Sequence, residues 1–366
     1  MLFRSLVTSD DSPQVRRIAA QSLAALGDPR GIDAILKLGV YPRSLSVSLE
    51  YISRFGEVAV PRLIASLANE NIAVATVAIA ALGRMGSRVA VPKLLKTLYE
   101  GREELRLPLL RVLADLDVPD LGTRLVPLLA DPSADVRQAV LEYLAKFPAA
   151  GSISAVKGFL KSPDPNLRQL AILALRAGDF AEVFPLFSMG LQDPSALVRK
   201  SSAAALGAQE SPMAAGKLLE VIHDPDCDTR CEVIRSLGCL GESRAVPHLL
   251  EMLDSEDRAV RLATVTALGA IGDERAGEPL IRNLPQESDA KIRQVIVRTL
   301  GSVGDSAAIP VLRTLLVENS SIRVPALIAI SEIGTNEATE ILVSMLQDPS
   351  EQMRYHACME IGRAHV

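Results

Sequence analysis

A chain of 366 residues with 44 acidic and 39 basic side chains, 48% hydrophobic residues, only 3% aromatics and no Trp lacks the basic excess and stacking rings of a nucleic-acid groove. Three of its four cysteines crowd into residues 227–239, which makes no disulfide framework and points to a reducing cytoplasm. The longest clean apolar run, Ile72 to Gly83, is shorter than a bilayer crossing requires, and Met-Leu-Phe-Arg-Ser-Leu-Val7 is no secretory hydrophobic stretch.

The N-terminal unit has room for about half of a first helix before the Asp10-Asp11-Ser12-Pro13 turn, and then Arg16 opens a ladder. Arg106, Arg137, Arg168, Arg199, Arg230, Arg261, Arg293, Arg323 and Arg354 follow at 30 to 32 residues, while Leu45 and Ala75 occupy two places between Arg16 and Arg106. Seven residues beyond each place stand Leu23, Ile52, Leu82, Leu113, Leu144, Leu175, Leu206, Leu237, Leu268, Leu300, Ile330 and Ile361, and the next residue is small except at Arg176. A branched hydrophobe beside a tiny residue lets a helix bury one side and bring its backbone close to a neighbour. The period predicts an all-α chain, a single array of about twelve 31-residue helix pairs over 1–366.

Within one unit, Val246, Leu249, Leu250 and Leu253 predict a first helix, and Val260, Ala263, Thr264, Ala267, Leu268 and Ile271 a second, each of about three turns. Between such helices lie Asp131-Pro132, Asp164-Pro165, Asp193-Pro194, Asp224-Pro225 and Asp348-Pro349, where Asp is expected to cap the second helix and Pro to enter its first turn. Gly27, Gly56, Gly86, Gly241, Gly272, Gly304 and Gly334 follow second helices and suit a left-handed ending. Asp117, Pro148, Asp179 and Glu210 replace them in the middle units, so those turns are expected to be less regular and the curvature to change there.

Val260-Arg261-Leu-Ala-Thr-Val-Thr-Ala-Leu-Gly-Ala-Ile-Gly-Asp273, followed by Ala276-Gly-Glu-Pro-Leu-Ile-Arg-Asn-Leu284, resembles the HEAT-like repeats of the phycobilisome-lyase type, and the likeness extends over essentially the whole chain. The resemblance implies an alpha-alpha superhelix, a HEAT-like solenoid whose second helices line a concave side. It is specific for fold and weak for function, because such repeats serve unrelated proteins. An extended binding surface is therefore the expected function: a non-catalytic protein-binding or scaffolding solenoid, a region of a larger protein truncated at one or both ends. The alternative is a phycobilin lyase-like chromophore-attachment or chaperone subunit, a class with no short catalytic signature. The His-Glu pairs of the similar deoxyhypusine hydroxylases have no match in His223-Asp224, His248-Leu249, His356-Ala357 or His365-Val366, and the cysteine-rich cluster motifs that accompany the repeats of epoxyqueuosine reductases are missing. The last repeat stops mid-helix, and Ile361-Gly-Arg-Ala-His-Val366 also reads as a translated sequencing-adapter oligonucleotide. Residues 361–366 are therefore set apart as a candidate non-native tail.

A side chain required at one register in so many units, with Asp135, Asp193, Asp228, Asp257 or Asp289 a few residues before it, is expected to tie neighbouring turns by charge-assisted hydrogen bonds. His223, Cys227, Cys231 and Cys239 have metal-like spacing, but aligned units put Ala130, Ala134 and Gln138 at the first three places, so neither metal nor cofactor is expected. On the second helices, offsets +1, +5 and +9 from the ladder place point away from the buried arc. They carry Glu50, Arg54, Arg84, Arg111, Glu142, Arg235 and Arg298 among Ala80, Leu107, Leu173, Ala204, Leu262 and Ile328. Arg54, Arg84, Arg111, Arg235 and Arg298 are the expected partner-binding residues on the concave face, with a protein as partner, no nucleic acid and no membrane within this segment.

Stacked helix pairs at about 8 to 10 Å spacing would make a superhelix about 100 Å long, with a radius of gyration of about 30 Å. A compact chain of this length would give about 21 Å. Small-angle scattering of the monomer distinguishes the two, and a value near the smaller figure would sink the solenoid.

Overall fold

Short helices alternate between two packing roles along the whole chain, and in the computed structural model, which describes residues 2–118, 120–318 and 321–364, every regular element among those residues is helical. His365 and Val366 of the suspected foreign tail lie outside the described residues. The chain forms two compact units, residues 1–160 with 173–177, and residues 161–172 with 178–366. The sequence period runs through that division without a break, so it could not have marked it.

The first unit holds α1 (Leu2–Ser9), α2 (Pro13–Ala25), α3 (Ile32–Gly39), α4 (Leu45–Ser53), α5 (Val60–Ser66), α6 (Ile72–Arg84), α7 (Val91–Glu100), α8 (Arg106–Asp115), α9 (Gly122–Leu125), α10 (Ala134–Lys146) and α11 (Ile153–Val156). The residues of α12 (Pro165–Ala174) are divided between the units. The second holds α13 (Phe180–Gly190), α14 (Ala196–Gly207), α15 (Pro212–Leu219), α16 (Cys227–Cys239), α17 (Val246–Glu251), α18 (Arg258–Ile271), α19 (Gly277–Asn283), α20 (Ala290–Val303), α21 (Ile309–Leu316), α22 (Arg323–Ile333), α23 (Asn336–Met345) and α24 (Glu351–Ala364). Even-numbered helices are the second members of the expected pairs. In the second unit α14, α16, α18, α20, α22 and α24 touch in succession, while α15, α17, α19, α21 and α23 pack onto them from one layer. The first unit repeats this with α2, α4, α6, α8 and α10.

Burial follows the repeat's phase. The hydrophobes seven places after the ladder are buried, except Ile361, which is half-exposed. The small residue beside each sets how near the next helix comes. A Cβ on Gly238 would lie 2.8 Å from the Ala267 Cα, and one on Gly301 2.7 Å from the Ala329 Cα, so at both places backbone packs on backbone.

First helices vary in length: α7, α13 and α23 keep the expected three turns with 10 or 11 residues, and others are shorter. Val246-Pro247 opens an α17 of only six residues behind the 3-10 turn Ser243–Ala245, and the same turn-then-helix form recurs before α7 and α21. Proline is suited to the first helical turn and removes an N–H there, so the chain approaches each short helix through a tighter turn.

The Asp-Pro pairs also work differently from expectation. Only Asp164 stands directly before its helix, with Pro165 as the first helical residue. Asp131, Asp193, Asp224 and Asp348 sit two places before the cap position, where the Oδ1 of each accepts the N–H of Ser133, Ser195, Asp226 or Ser350 at 2.8 to 2.9 Å. This leaves the second carboxylate oxygen available to the preceding pair, and the ladder arginine uses it.

Arg168 donates to Asp193 at 2.7 and 2.8 Å, Arg199 to Asp224 at 2.7 and 2.8 Å, and Arg323 to Asp348 at 2.6 Å, each across 25 residues. Arg106 reaches Asp131 in the same way at 2.7 Å, and Arg261 reaches Glu287 at 2.8 Å. Most ladder guanidiniums also secure their own turns, as when Nη1 of Arg199 donates to the carbonyls of Asp193 and Pro194 at 3.0 and 3.3 Å. The ladder is therefore structural, but most of its acids are not those expected from local sequence. Of the acids expected, Asp193 is a ladder partner, whereas Asp257 and Asp289 cap α18 and α20 and Asp228 pairs with Lys200 at 3.2 Å.

The glycine endings all adopt the left-handed conformation, with φ between 56° and 75°. Among the four substitutes, Asp117 and Glu210 take it too, each at φ 47°, so those two turns keep the form that the sequence expectation denied them. Pro148 cannot, because its ring fixes φ near −65°, and Asp179 instead caps α13 in an extended conformation.

Glu287, whose side chain is 3% exposed, offsets its burial through Arg261 and the Asp289 N–H, and its carboxyl is held below the ordinary value of 4.5. Replacing Arg261 with Ala is expected to cost about 1 to 3 kcal/mol, the usual range for orphaning a buried acceptor. Arg230→Ala, which removes only a bond to the Asp224 carbonyl, should cost less. Because folding depresses this carboxyl, its contribution is present above the unfolded value and fades as acid protonates it. The Arg261→Ala penalty should therefore shrink below about pH 4.5, as read by urea melts across pH.

Candidate functional site

Arg54, Arg84 and Arg111 of the first unit and Arg235 and Arg298 of the second lie in or beside even-numbered helices, and all five are exposed. They do not share one state. Arg54, just past α4, donates to Glu50 at 2.7 Å and lies over the Tyr51 ring at 5.4 Å. Arg235 on α16 is tied to Glu232 one turn earlier. Arg84 at the end of α6, Arg111 in α8 and Arg298 in α20 have no ion pair among the described residues, so they are the more available for a partner. The six apolar outward residues, Ala80, Leu107, Leu173, Ala204, Leu262 and Ile328, are half-buried, as expected of floor between neighbouring helices.

Two clefts open on this face within the second unit. One, of about 470 Å³, lies along α14, α16 and α18 and includes Arg235 and Leu262 above a floor of Gly238, Ala263 and Ala267. Its charges are balanced: Lys200 with Asp228 at 3.2 Å, Arg235 with Glu232, and Arg258 with Asp289 at 2.5 Å. The other, of about 440 Å³, lies between α20 and α22 and combines Arg298, Gln294 and Ser321 with Ile328 and Glu332. Burial, and then the nearby Glu360, push the Glu332 carboxyl above its ordinary value. The first cleft thus has no unpaired excess of charge, whereas the second places Arg298 without an ion pair among the described residues.

The sequence cluster around His223 separates into two sets. The Cys227 thiol donates to Asp257 Oδ2 at 2.8 Å. That bond, followed by burial, pushes the thiol up to about 12, and burial raises the Cys231 thiol. His223 lies instead with His248 and Glu251, whose ligand atoms fall within 4.8 Å of one another. The histidine rings meet edge to face with centroids 5.6 Å apart. His248 and Glu251 were not among the residues singled out by local spacing. The signal that finds them is the 25-residue step from His223 to His248, the same step that brings Arg199 to Asp224.

The family model of HEAT repeats matches residues 93–176, 155–226, 215–296 and 278–362, and that of the PBS lyase HEAT-like repeat matches residues 15–38. No curated protein sequence matches the chain. Among solved structures, the karyopherin Kap121p bound to the SUMO protease Ulp1p is similar with a TM-score of 0.56 at 14% identity, over 98% of this chain and 48% of that one. Kap121p bound to Nup53p gives 0.54 at 13% identity over the same shares. An engineered protein gives 0.48 at 17% identity, over 100% of this chain and 99% of that one. At such identities the likeness is one of fold.

Only a thiolate attacks an alkylating reagent. At mildly alkaline pH, iodoacetamide should modify the exposed Cys239 and Cys358 first and spare Cys227 and the buried Cys231, as followed by peptide mass spectrometry. Asp257→Asn should speed modification of Cys227, and equal rates before and after that change would contradict the role given to Asp257.

Proposed function

The chain belongs to the HEAT-repeat family, and on that premise we propose that it is a non-catalytic scaffold that binds another protein along the face of its even-numbered helices. The observation that carries this reading is the run of half-buried small and apolar floor on that face, with two clefts and with arginines of which Arg84, Arg111 and Arg298 lack an ion pair among the described residues. Arginine is favoured where binding energy concentrates, because its planar fork and apolar stem work together. We take this face as the concave one. Kap121p, similar in fold, has been solved with Nup53p and with Ulp1p, which lends the reading support by analogy only.

Charge balance favours a protein over a nucleic acid as partner. Among the described residues no helix is long and apolar enough to cross a membrane, and the unpaired cysteines favour a cytoplasmic setting. The bilin-lyase alternative rests on the single-repeat match at 15–38; binding of a bilin with a change in its absorbance would favour it.

Charge reversal at Arg84, Arg111, Arg235 and Arg298 tests the proposal. Wild-type and reversed chains are used to capture partners from extracts of the source organism, and a protein held by the wild type is then titrated against each single variant. Affinity should fall by about tenfold or more for at least one of them, the scale of an interface hot spot, with helical signal and melting temperature nearly unchanged. Should all four variants bind as the wild type does, the partner sits elsewhere.

A further inference from the structure

The ladder of guanidinium–carboxylate bridges changes form at one joint of the second unit. Arg199 ties its pair to the next through Asp224, and Arg261 does so through Glu287. Between them stands Arg230, and the residue 25 places further on is Ser255. Arg230 bonds the Asp224 carbonyl at 2.6 Å and has no carboxylate partner among the described residues. The joint between α15–α16 and α17–α18 thus lacks the bridge found on either side of it.

His223, His248 and Glu251 meet across that same joint. His223 leads into Asp224 on the turn between α15 and α16, whereas His248 and Glu251 lie one turn apart on α17. We propose that these three side chains bind one divalent transition-metal ion, with zinc the best chemical match, and that the ion staples the two helix pairs where the arginine bridge is missing.

Two imidazoles and a carboxylate are a borderline donor set, which suits zinc and disfavours calcium or magnesium, whose ligands are oxygen. In a tetrahedral zinc site with ligand bonds of about 2.0 to 2.1 Å, donors stand about 3.3 Å from one another. The separations here are no more than 4.8 Å, so the side chains need close by at most about 1.5 Å to reach that geometry. His223 and Glu251 are exposed and His248 half-buried, which leaves them room to turn. Three protein ligands leave one position for solvent. The cysteines are not needed: Cys227 is engaged by Asp257 at 2.8 Å.

The test uses the full chain, stripped with chelator and dialysed against zinc chloride. One zinc per chain should remain bound, and zinc should raise the melting temperature, because an ion that binds only the folded state stabilises it. His223→Ala and His248→Ala should each weaken zinc binding by about tenfold or more, since even outer residues of metal sites cost that much. Glu251→Gln should weaken it too, and Cys239→Ser with Cys358→Ser should not. Cobalt(II) should give a visible spectrum without sulfur charge-transfer bands. Circular dichroism confirms that the exposed-site variants fold. Failure of the wild type to retain zinc overturns the proposal, as does equal affinity in the His223→Ala/His248→Ala double variant. Sulfur bands in the cobalt spectrum would move the ion to the thiols and equally overturn it.

Discussion

At five joints a carboxylate gripped by the preceding pair's arginine sets the register of the helix pairs. Asp224 shows the economy of the device: one side-chain oxygen accepts Arg199, the other accepts the Asp226 N–H as well as the guanidinium, and its backbone carbonyl accepts Arg230. An acid 5% exposed at its side chain would be costly without such bonds, so the arginine of one pair and the turn of the next are each required by the other. Arginine suits this place better than lysine because its fork can grip a carboxylate and a carbonyl together. Once the 25-residue step is fixed, each +7 hydrophobe falls into the core and each +8 small residue meets the following helix.

Places that break the ladder show that the turn's carbonyls, more than the arginine's position in sequence, are what must be satisfied. Ala75 has no guanidinium, yet Arg102 from the following turn donates to the carbonyls of Asn69 and Glu70, the two that an arginine at position 75 would serve. Arg16, with Tyr41 where later joints have an acid, lies 5.0 Å from that ring's centroid and bonds the Asp10 carbonyl at 2.6 Å. Chemically different solutions thus meet the same demand for paired polar groups at the end of a helix.

Repetition made the fold legible. A rule broken at Arg176 but kept in the other units is readable because each unit checks the rest, and hydrophobic phase put Arg54, Arg84, Arg111, Arg235 and Arg298 at offsets that are exposed. What repetition hid is equally physical. Asp117 and Glu210 take a left-handed conformation at a cost in strain that composition alone argues against. The local pairing of Arg54 with Glu50 and of Arg235 with Glu232 left other arginines without an ion pair among the described residues. None of these follows from period, since each depends on what a side chain touches after the fold has formed.

The face itself is a consequence of the ladder. Where a helix pair places arginine and acid together on the turn side, the two neutralise each other and the opposite row needs no charge to hold that joint. The outward offsets therefore carry alanine, leucine and isolated arginines with no part in the ladder's bridges. The clefts on α16–α18 and α20–α22 differ for that reason: one has its charges paired internally, the other contains Arg298 unpaired among the described residues and a carboxyl raised by burial. Two adjacent stretches of one repeat array can therefore present different chemistry while sharing the same skeleton.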